Sequence, residues 1–196
     1  MMKRILILTF FVLLFSSGES RAQAVALKTN LLYGGYALTP NLGVEIGLCN
    51  QLTLDLSAGY NPWNRNGDNV DNKKLVHYLA QGELRYWTCS KFNGLFFGVH
   101  ALATQYNISG YNLPWLFEDN SNKYRYDGYG YGVGISAGYQ FILARRWNLE
   151  LNLGGGYARM KYAKFDAESC GMELDHSVVD NYWGITRAGV SILFLF

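Results

Sequence analysis

The side chains with chemistry to offer are few and far apart in the chain. They are three histidines (His77, His100, His176), three cysteines (Cys49, Cys89, Cys170) and seven ionisable residues inside apolar runs: Lys28, Glu45, Asp55, Glu83, Arg85, Glu150 and Arg187. Glu83 and Arg85, two positions apart, could form an acid–base or ligand-binding pair, but structural ion pairing accounts for the same two residues. His77 and His100 have no Cys or carboxylate at metal-ligand spacing, so interior hydrogen bonding is their expected role. His176 lies near Cys170, Glu173 and Asp175, a set able to hold a soft metal, although an unconstrained loop does not usually do so. A lipid-modifying hydrolase needs a nucleophile within reach of a base. In a strand, the adjacent His176 and Ser177 would point to opposite faces. No catalytic residue, metal ligand or cofactor is therefore assigned, and the chain is read as non-enzymatic.

An odd number of cysteines leaves at least one thiol unpaired or bonded to another molecule. Cys49 and Cys89 fall in turns at the same rim of the predicted fold, and the sequence leaves open whether they come close enough to bridge.

What must position these residues is a set of strands. Asn41–Leu48 alternates without a break, with Leu42, Val44, Ile46 and Leu48 against Gly43, Glu45 and Gly47, a period of two. Leu52, Leu54, Leu56, Ala58 and Tyr60 repeat the pattern against Thr53, Asp55, Ser57 and Gly59, making a hairpin. Upstream, Leu27, Thr29, Leu31 and Tyr33 oppose Lys28, Asn30 and Gly34. Downstream, Val76, Tyr78, Ala80, Leu84 and Tyr86 oppose His77, Gln81, Glu83 and Arg85. Gly94–Tyr106 is a fifth run in which either parity could face outward. In the sixth, Tyr129, Tyr131, Val133, Ile135, Ala137, Tyr139 and Phe141 alternate with glycine, Ser136 and Gln140, which no helical period produces. Trp147, Leu149, Leu151, Leu153 and Tyr157 form the seventh. The eighth places Tyr182, Gly184, Thr186, Ala188, Val190, Ile192, Phe194 and Phe196 on one face.

Several runs reach the roughly 9–11 residues that a tilted strand needs to cross a bilayer. Short connections (Cys49–Gln51, Thr88–Asn93, Ala144–Arg146) alternate with long ones (Asn61–Lys74, Asn107–Asp127, Lys161–Asn181), the asymmetry of outer-membrane barrels. The seven charged residues all fall on the small, polar parity of their strands. At the bilayer midplane an outward Arg or Lys costs about 2–4 kcal/mol, so a membrane barrel must enclose them, three basic and four acidic, as a mutually paired network. An eight-stranded barrel is only wide enough to be filled by side chains, which disfavours a pore and puts function in the loops, the wall or the rims.

Composition agrees. The 196 residues carry a net charge of +2, only 16% charged residues, 15 Tyr, 11 Phe and 22 Gly beside 3 Pro, which favours Gly-punctuated, aromatic-girdled strands. No basic cluster could neutralise a run of phosphates, so nucleic acid is excluded as a partner. At the N-terminus, Lys3 and Arg4 precede an apolar run from Ile5 to Phe15 and the triplet Ala22-Gln23-Ala24, the pattern of a secretory signal peptide spanning residues 1–24. One domain, residues 25–196, is expected to follow. No other stretch approaches the roughly 18 apolar residues of a membrane-spanning helix, so a membrane-embedded chain would have to be a barrel.

Two regions are candidate contact surfaces. The long connection Asn107–Asp127 carries Tyr111, Leu113, Pro114, Trp115, Leu116 and Phe117, an apolar cluster that suits a partner surface and equally suits folding over the barrel mouth or dipping into the outer leaflet. Lys123 and Arg125, interleaved with Tyr124 and Tyr126, are placed to meet lipopolysaccharide phosphates. At the other end, Phe196, preceded at alternate positions by Phe194, Ile192 and Val190, is similar to the terminal strand signal read by the outer-membrane barrel assembly machinery.

The strings Lys28-Thr29-Asn30-Leu31-Leu32-Tyr33, Thr39-Pro40-Asn41-Leu42-Gly43-Val44-Glu45, Asp55-Leu56-Ser57 with Asn61-Pro62-Trp63, and Glu83-Leu84-Arg85-Tyr86-Trp87 with Phe92-Asn93-Gly94 resemble a family of small outer-membrane proteins of gut and oral Gram-negative bacteria. That family is a domain of unknown function often encoded beside fimbrial genes. The resemblance covers nearly the whole chain after residue 24. It implies an OmpA-like barrel and a role in assembling or anchoring fimbriae or another surface structure, and it transfers no catalytic residues. The expected fold is thus all-β, an eight-stranded antiparallel up-and-down transmembrane β-barrel in the bacterial outer membrane. A lipid-modifying barrel enzyme and a soluble lipocalin-like carrier are the alternatives; the carrier requires an apolar interior and a charged exterior.

Overall fold

A computed structural model describes residues 25–35, 38–66, 72–111, 124–166 and 173–196. The described strands are β1 (Val25–Asn30), β2 (Asn41–Gly47), β3 (Leu52–Asn61), β4 (Asn64–Asn66), β5 (Asn72–Trp87), β6 (Gly94–Ser109), β7 (Tyr124–Ala144), β8 (Trp147–Asp166) and β9 (Glu173–Leu195), with one short helix, α1 (Leu31–Gly35), after β1. Apart from β3 and β4, consecutive strands pair antiparallel, β1 pairs with β9, and β3 pairs with β5. The sheet therefore closes on itself through β1, which pairs with Ser191–Leu195 of β9; closure removes the free edge at that level. β4 continues the line of β3 along β5, from Asn61↔His77 to Asn64↔Lys74, so nine strand segments make eight staves. The fold is an eight-stranded, antiparallel, up-and-down barrel.

Alternation sorts side chains into wall and lumen. On β7, Tyr129, Tyr131, Val133, Ile135, Tyr139 and Phe141 are exposed on the outside, and Gly132, Ser136, Gly138 and Gln140 are buried in the lumen. β6, whose parity the sequence left open, puts Leu95, Phe97 and Val99 outside and Phe96, Gly98 and His100 inside. The inward glycines permit close approach. A Cβ on Gly138 would lie 2.3 Å from the Phe96 ring and 2.6 Å from the Leu151 carbonyl oxygen, and one on Gly98 would lie 2.5 Å from the Glu83 carboxylate.

The structure departs from the sequence reading in three places. The first strand ends at Asn30, and Leu31–Gly35 is helical. Asn30 Oδ1 accepts the Leu32 N–H (3.0 Å), so the side chain caps the turn and competes with the ladder. On the last strand, Gly154 pairs with Arg187 but Gly155 pairs with Ile185. The extra residue, Thr186, is a β-bulge that reverses parity. Below it Ala188, Val190, Ile192 and Phe194 face outward, whereas above it Trp183 and Ile185 do so, 76% and 63% exposed. Tyr182 thus packs against the apolar cluster in the lumen instead of standing on the wall. Finally, β6 to β9 run 16, 21, 20 and 23 residues, so much of the expected second and third long connections is strand. β7 is about twice the length needed to cross a bilayer, and its side of the barrel rises well above the stave of β1, which has 6 residues.

Candidate functional site in the barrel lumen

Midway along the lumen, β1, β2, β3, β5, β8 and β9 each send ionisable side chains inward: Lys28, Glu45, Asp55, Glu83 with Arg85, Glu150 and Arg187 are all buried. Arg85 is the hub. Its Nε donates to Glu83 Oε2 (2.6 Å), Nη1 to Glu45 Oε2 and Glu150 Oε2 (2.8 Å each) and Nη2 to Glu150 Oε1 (3.0 Å), while Nη2 lies 2.9 Å from Asp55 Oδ2. One guanidinium thus touches all four carboxylates, using the fork of donors that suits Arg and not Lys to such a position. Its face rests 4.3 Å from the Phe96 ring centroid.

Two further cations complete the network. Lys28 Nζ donates to Asp55 Oδ2 (2.5 Å) and Glu150 Oε1 (3.3 Å). Arg187 bonds Asp55 Oδ2 (2.5 Å) and Gln81 Oε1 (3.2 Å), and its Nε lies 3.3 Å from Glu83 Oε2. Neutral donors add to the network: Thr53 Oγ1 donates to Glu45 Oε1 (2.6 Å) and in turn accepts from Trp87 Nε1 (2.9 Å), and Ser136 donates to Glu83. Buried charges need this degree of pairing, because desolvation costs several kcal/mol per ion.

Below the network, towards the short turns, the lumen is apolar and closed. Ala26, Phe92, Leu193 and Leu195 form a buried cluster, and Trp87 packs between Phe92 and Phe96, with ring centroids 6.2 and 4.8 Å away. Phe92 corks this end from a turn, in a left-handed conformation (φ 62°) that a non-glycine residue adopts only at a cost. Asn148 Nδ2 holds it by donating to the Phe92 carbonyl (2.9 Å). The sequence reading gave Phe92 no structural role; the available signal was a lone aromatic in a polar turn.

Above the network the lumen turns apolar again. Tyr106, Ile108, Tyr126, Met160 and Tyr162 form a buried cluster, with Leu75, Tyr111, Tyr124, Val178 and Tyr182 packed against it. A cavity of about 380 Å³ lies between this cluster and the ions, bordered by Leu79, Gln81, Leu102, Ala158, Met160 and Thr186 among others. The bulge matters here: Thr186 Oγ1 sits 2.8 Å from His100 Nε2, and its carbonyl accepts from Gln81 Nε2 (3.3 Å).

The remaining candidates are dispersed. His77 Nε2 lies 3.4 Å from Thr39 Oγ1, facing the lumen. His176, expected in a loop, stands on β9 and contacts Glu173 while largely exposed. Among the described residues no three His, Cys, Asp or Glu side chains are grouped to hold a metal ion. Cys49 and Cys89 are exposed and free. Arg125 is the second residue of β7, with its guanidinium 4.4 Å from the Phe165 ring centroid. Trp115, Leu116, Phe117, Lys123 and Cys170 lie outside the described residues. On the wall, Trp147, Phe194 and Phe196 stack edge to face at the short-turn rim, with centroids 5.1 Å apart in each pair, and Tyr157 packs on Trp183 at 4.9 Å farther up.

Fold and site together define a closed, side-chain-filled β-barrel with an ion-paired lumen and an apolar outer wall. The chain belongs to the family described as Protein of unknown function (DUF3575), whose model matches residues 7–196. No curated protein and no solved structure matches it.

Proposed function

We propose that the chain is a non-enzymatic barrel of the bacterial outer membrane, exported by a cleaved signal peptide at residues 1–24, and an accessory or anchor for fimbriae or another surface structure. The observation that carries the membrane reading is the wall. Val133, Ile135, Leu153 and Ile185 stand in its middle, with Ile135 71% exposed, while Glu150 and Arg187 of the same staves are turned inward. Soluble proteins do not leave a continuous apolar band of this size in water, and the carrier alternative requires the charged exterior that this wall lacks. Aromatic pairs at the short-turn rim (Trp147–Phe194) and farther up the wall (Tyr157–Trp183) suit the headgroup levels of a bilayer. The network fills the centre of the lumen, which fits a plug and not a diffusion pore.

In this reading the long-loop side, including Arg125, faces lipopolysaccharide and surface partners. Phe194 and the exposed Phe196 serve as the signal for the barrel assembly machinery. The fimbrial role rests on the family resemblance of the sequence. Two experiments test the proposal. Outer-membrane fractions should contain the protein with heat-modifiable gel mobility. Deleting the gene should reduce the number of surface fimbriae or loosen their attachment, and unchanged fimbriae would remove the anchoring role.

A further inference from the structure

We propose that the cavity in the long-loop half of the lumen is a binding site for an uncharged, single-tailed amphiphile, with the tail against the apolar cluster and a hydroxyl or amide head on the floor. Its volume of about 380 Å³ lies within the ~300–1,000 Å³ range of small-molecule sites. The composition of its surface has two parts. Leu75, Leu79, Leu102, Ile108, Ala158 and Met160 supply an apolar wall, interrupted by His77 and Thr104 at the levels of Tyr106 and Leu79, and Gln81 and Thr186 offer polar groups on the side of the ions. A few placed polar groups in a mostly apolar cavity are the usual make-up of a ligand site.

Access and charge narrow the ligand further. The short-turn side of the lumen is blocked by the ion network and by the cork of Phe92, Leu193 and Leu195, so no ligand enters from that side. By formal charge the floor carries one excess negative charge: the four carboxylates Glu45, Asp55, Glu83 and Glu150 outnumber the three cations Lys28, Arg85 and Arg187, each of which is already engaged by a carboxylate. A fatty acid would bring a further negative charge onto this floor, whereas an alcohol or amide brings only hydrogen bonds. Side chains on the lumen parity of small barrels are generally polar; here Leu79, Leu102 and Met160 occupy that parity and leave space instead of filling it.

The test uses the full protein held in an amphipathic polymer, which supplies no free detergent to compete, with methionine labelled at its methyl carbon. The Met160 resonance is assigned by its loss in Met160→Leu. Titration with 1-decanol should shift this resonance saturably. Decanoate should need at least about ten times the concentration for the same shift, a factor worth about 1.4 kcal/mol. Ala158→Phe, which fills the cavity, should abolish the saturable shift, and Leu102→Phe, on the opposite side, should do the same. Each variant is first required to keep heat-modifiable mobility. A resonance that does not respond, drifts without saturating, or responds equally in both filled variants would overturn the proposal, and equal binding of decanoate would overturn the assignment of an uncharged head.

Discussion

The two halves of one lumen solve the same packing problem in opposite ways. In the half nearer the short turns, ionised and aromatic side chains interlock over inward glycines, and Arg85, Phe96, Trp87 and Leu193 are fully buried. In the long-loop half, on taller staves, apolar residues of the same parity meet around open space. The lower half resembles a crystal, where any change of volume or charge is felt. The upper half has room to absorb change, which is the property a binding site needs and a scaffold does not.

The largest effect should come from the hub. Arg85→Met leaves four carboxylates clustered with only Lys28 and Arg187 to balance them, and loss of one partner from a buried network costs about 3–5 kcal/mol. The urea midpoint of the refolded barrel, followed by tryptophan fluorescence, should fall accordingly or the folded band should vanish. A midpoint near that of the parent would break the contrast at its strongest point. Paired truncations come next. Leu193→Ala, in the closed cluster, should cost about 3–4 kcal/mol, and Leu79→Ala, beside the cavity, about 2 kcal/mol, because cost scales with the packing that is lost. Equal losses would mean that the upper half is as tightly filled as the lower. Gly138→Ala, which drives a methyl into Phe96, should cost about 1–3 kcal/mol by overpacking. Smallest of all, Cys49→Ser and Cys89→Ser, both exposed, should each change stability by less than about 0.5 kcal/mol.

The alternation in β2, β3 and β7 was readable because nothing interrupts it: each outward Leu, Val or Tyr has a small or polar neighbour on either side. That parity fixed the number of staves and the side of each stave on which Glu45, Asp55 and Glu150 stand. Three features escaped it. Asn30 reads as one more polar residue of a strand until its side chain is seen capping Leu32. The bulge at Thr186 is set by pairing with β8, so a single strand's pattern cannot reveal it, and Tyr182 was placed on the wrong face in consequence. The apolar upper lumen was hidden for a related reason. On the taller part of the staves both faces can be apolar, as with Leu75 and Val76 on β5 or Val178 and Val179 on β9, and alternation no longer distinguishes inside from outside. The Arg85 hub illustrates the limit differently: sequence supplied its partners by type and parity, but only the closure of β1 on β9 brings Lys28 and Arg187 to the same carboxylate, Asp55.

The central claim is that the outer wall lies in hydrocarbon. The most direct test replaces Ile135 with cysteine, in a background with Cys49, Cys89 and Cys170 changed to serine, and attaches an environment-sensitive fluorophore after reconstitution into liposomes. Blue-shifted emission is expected, quenched by nitroxide-bearing lipids and protected from aqueous iodide. Emission at the wavelength of the free dye in water, quenched freely by iodide and untouched by the labelled lipids, would contradict it.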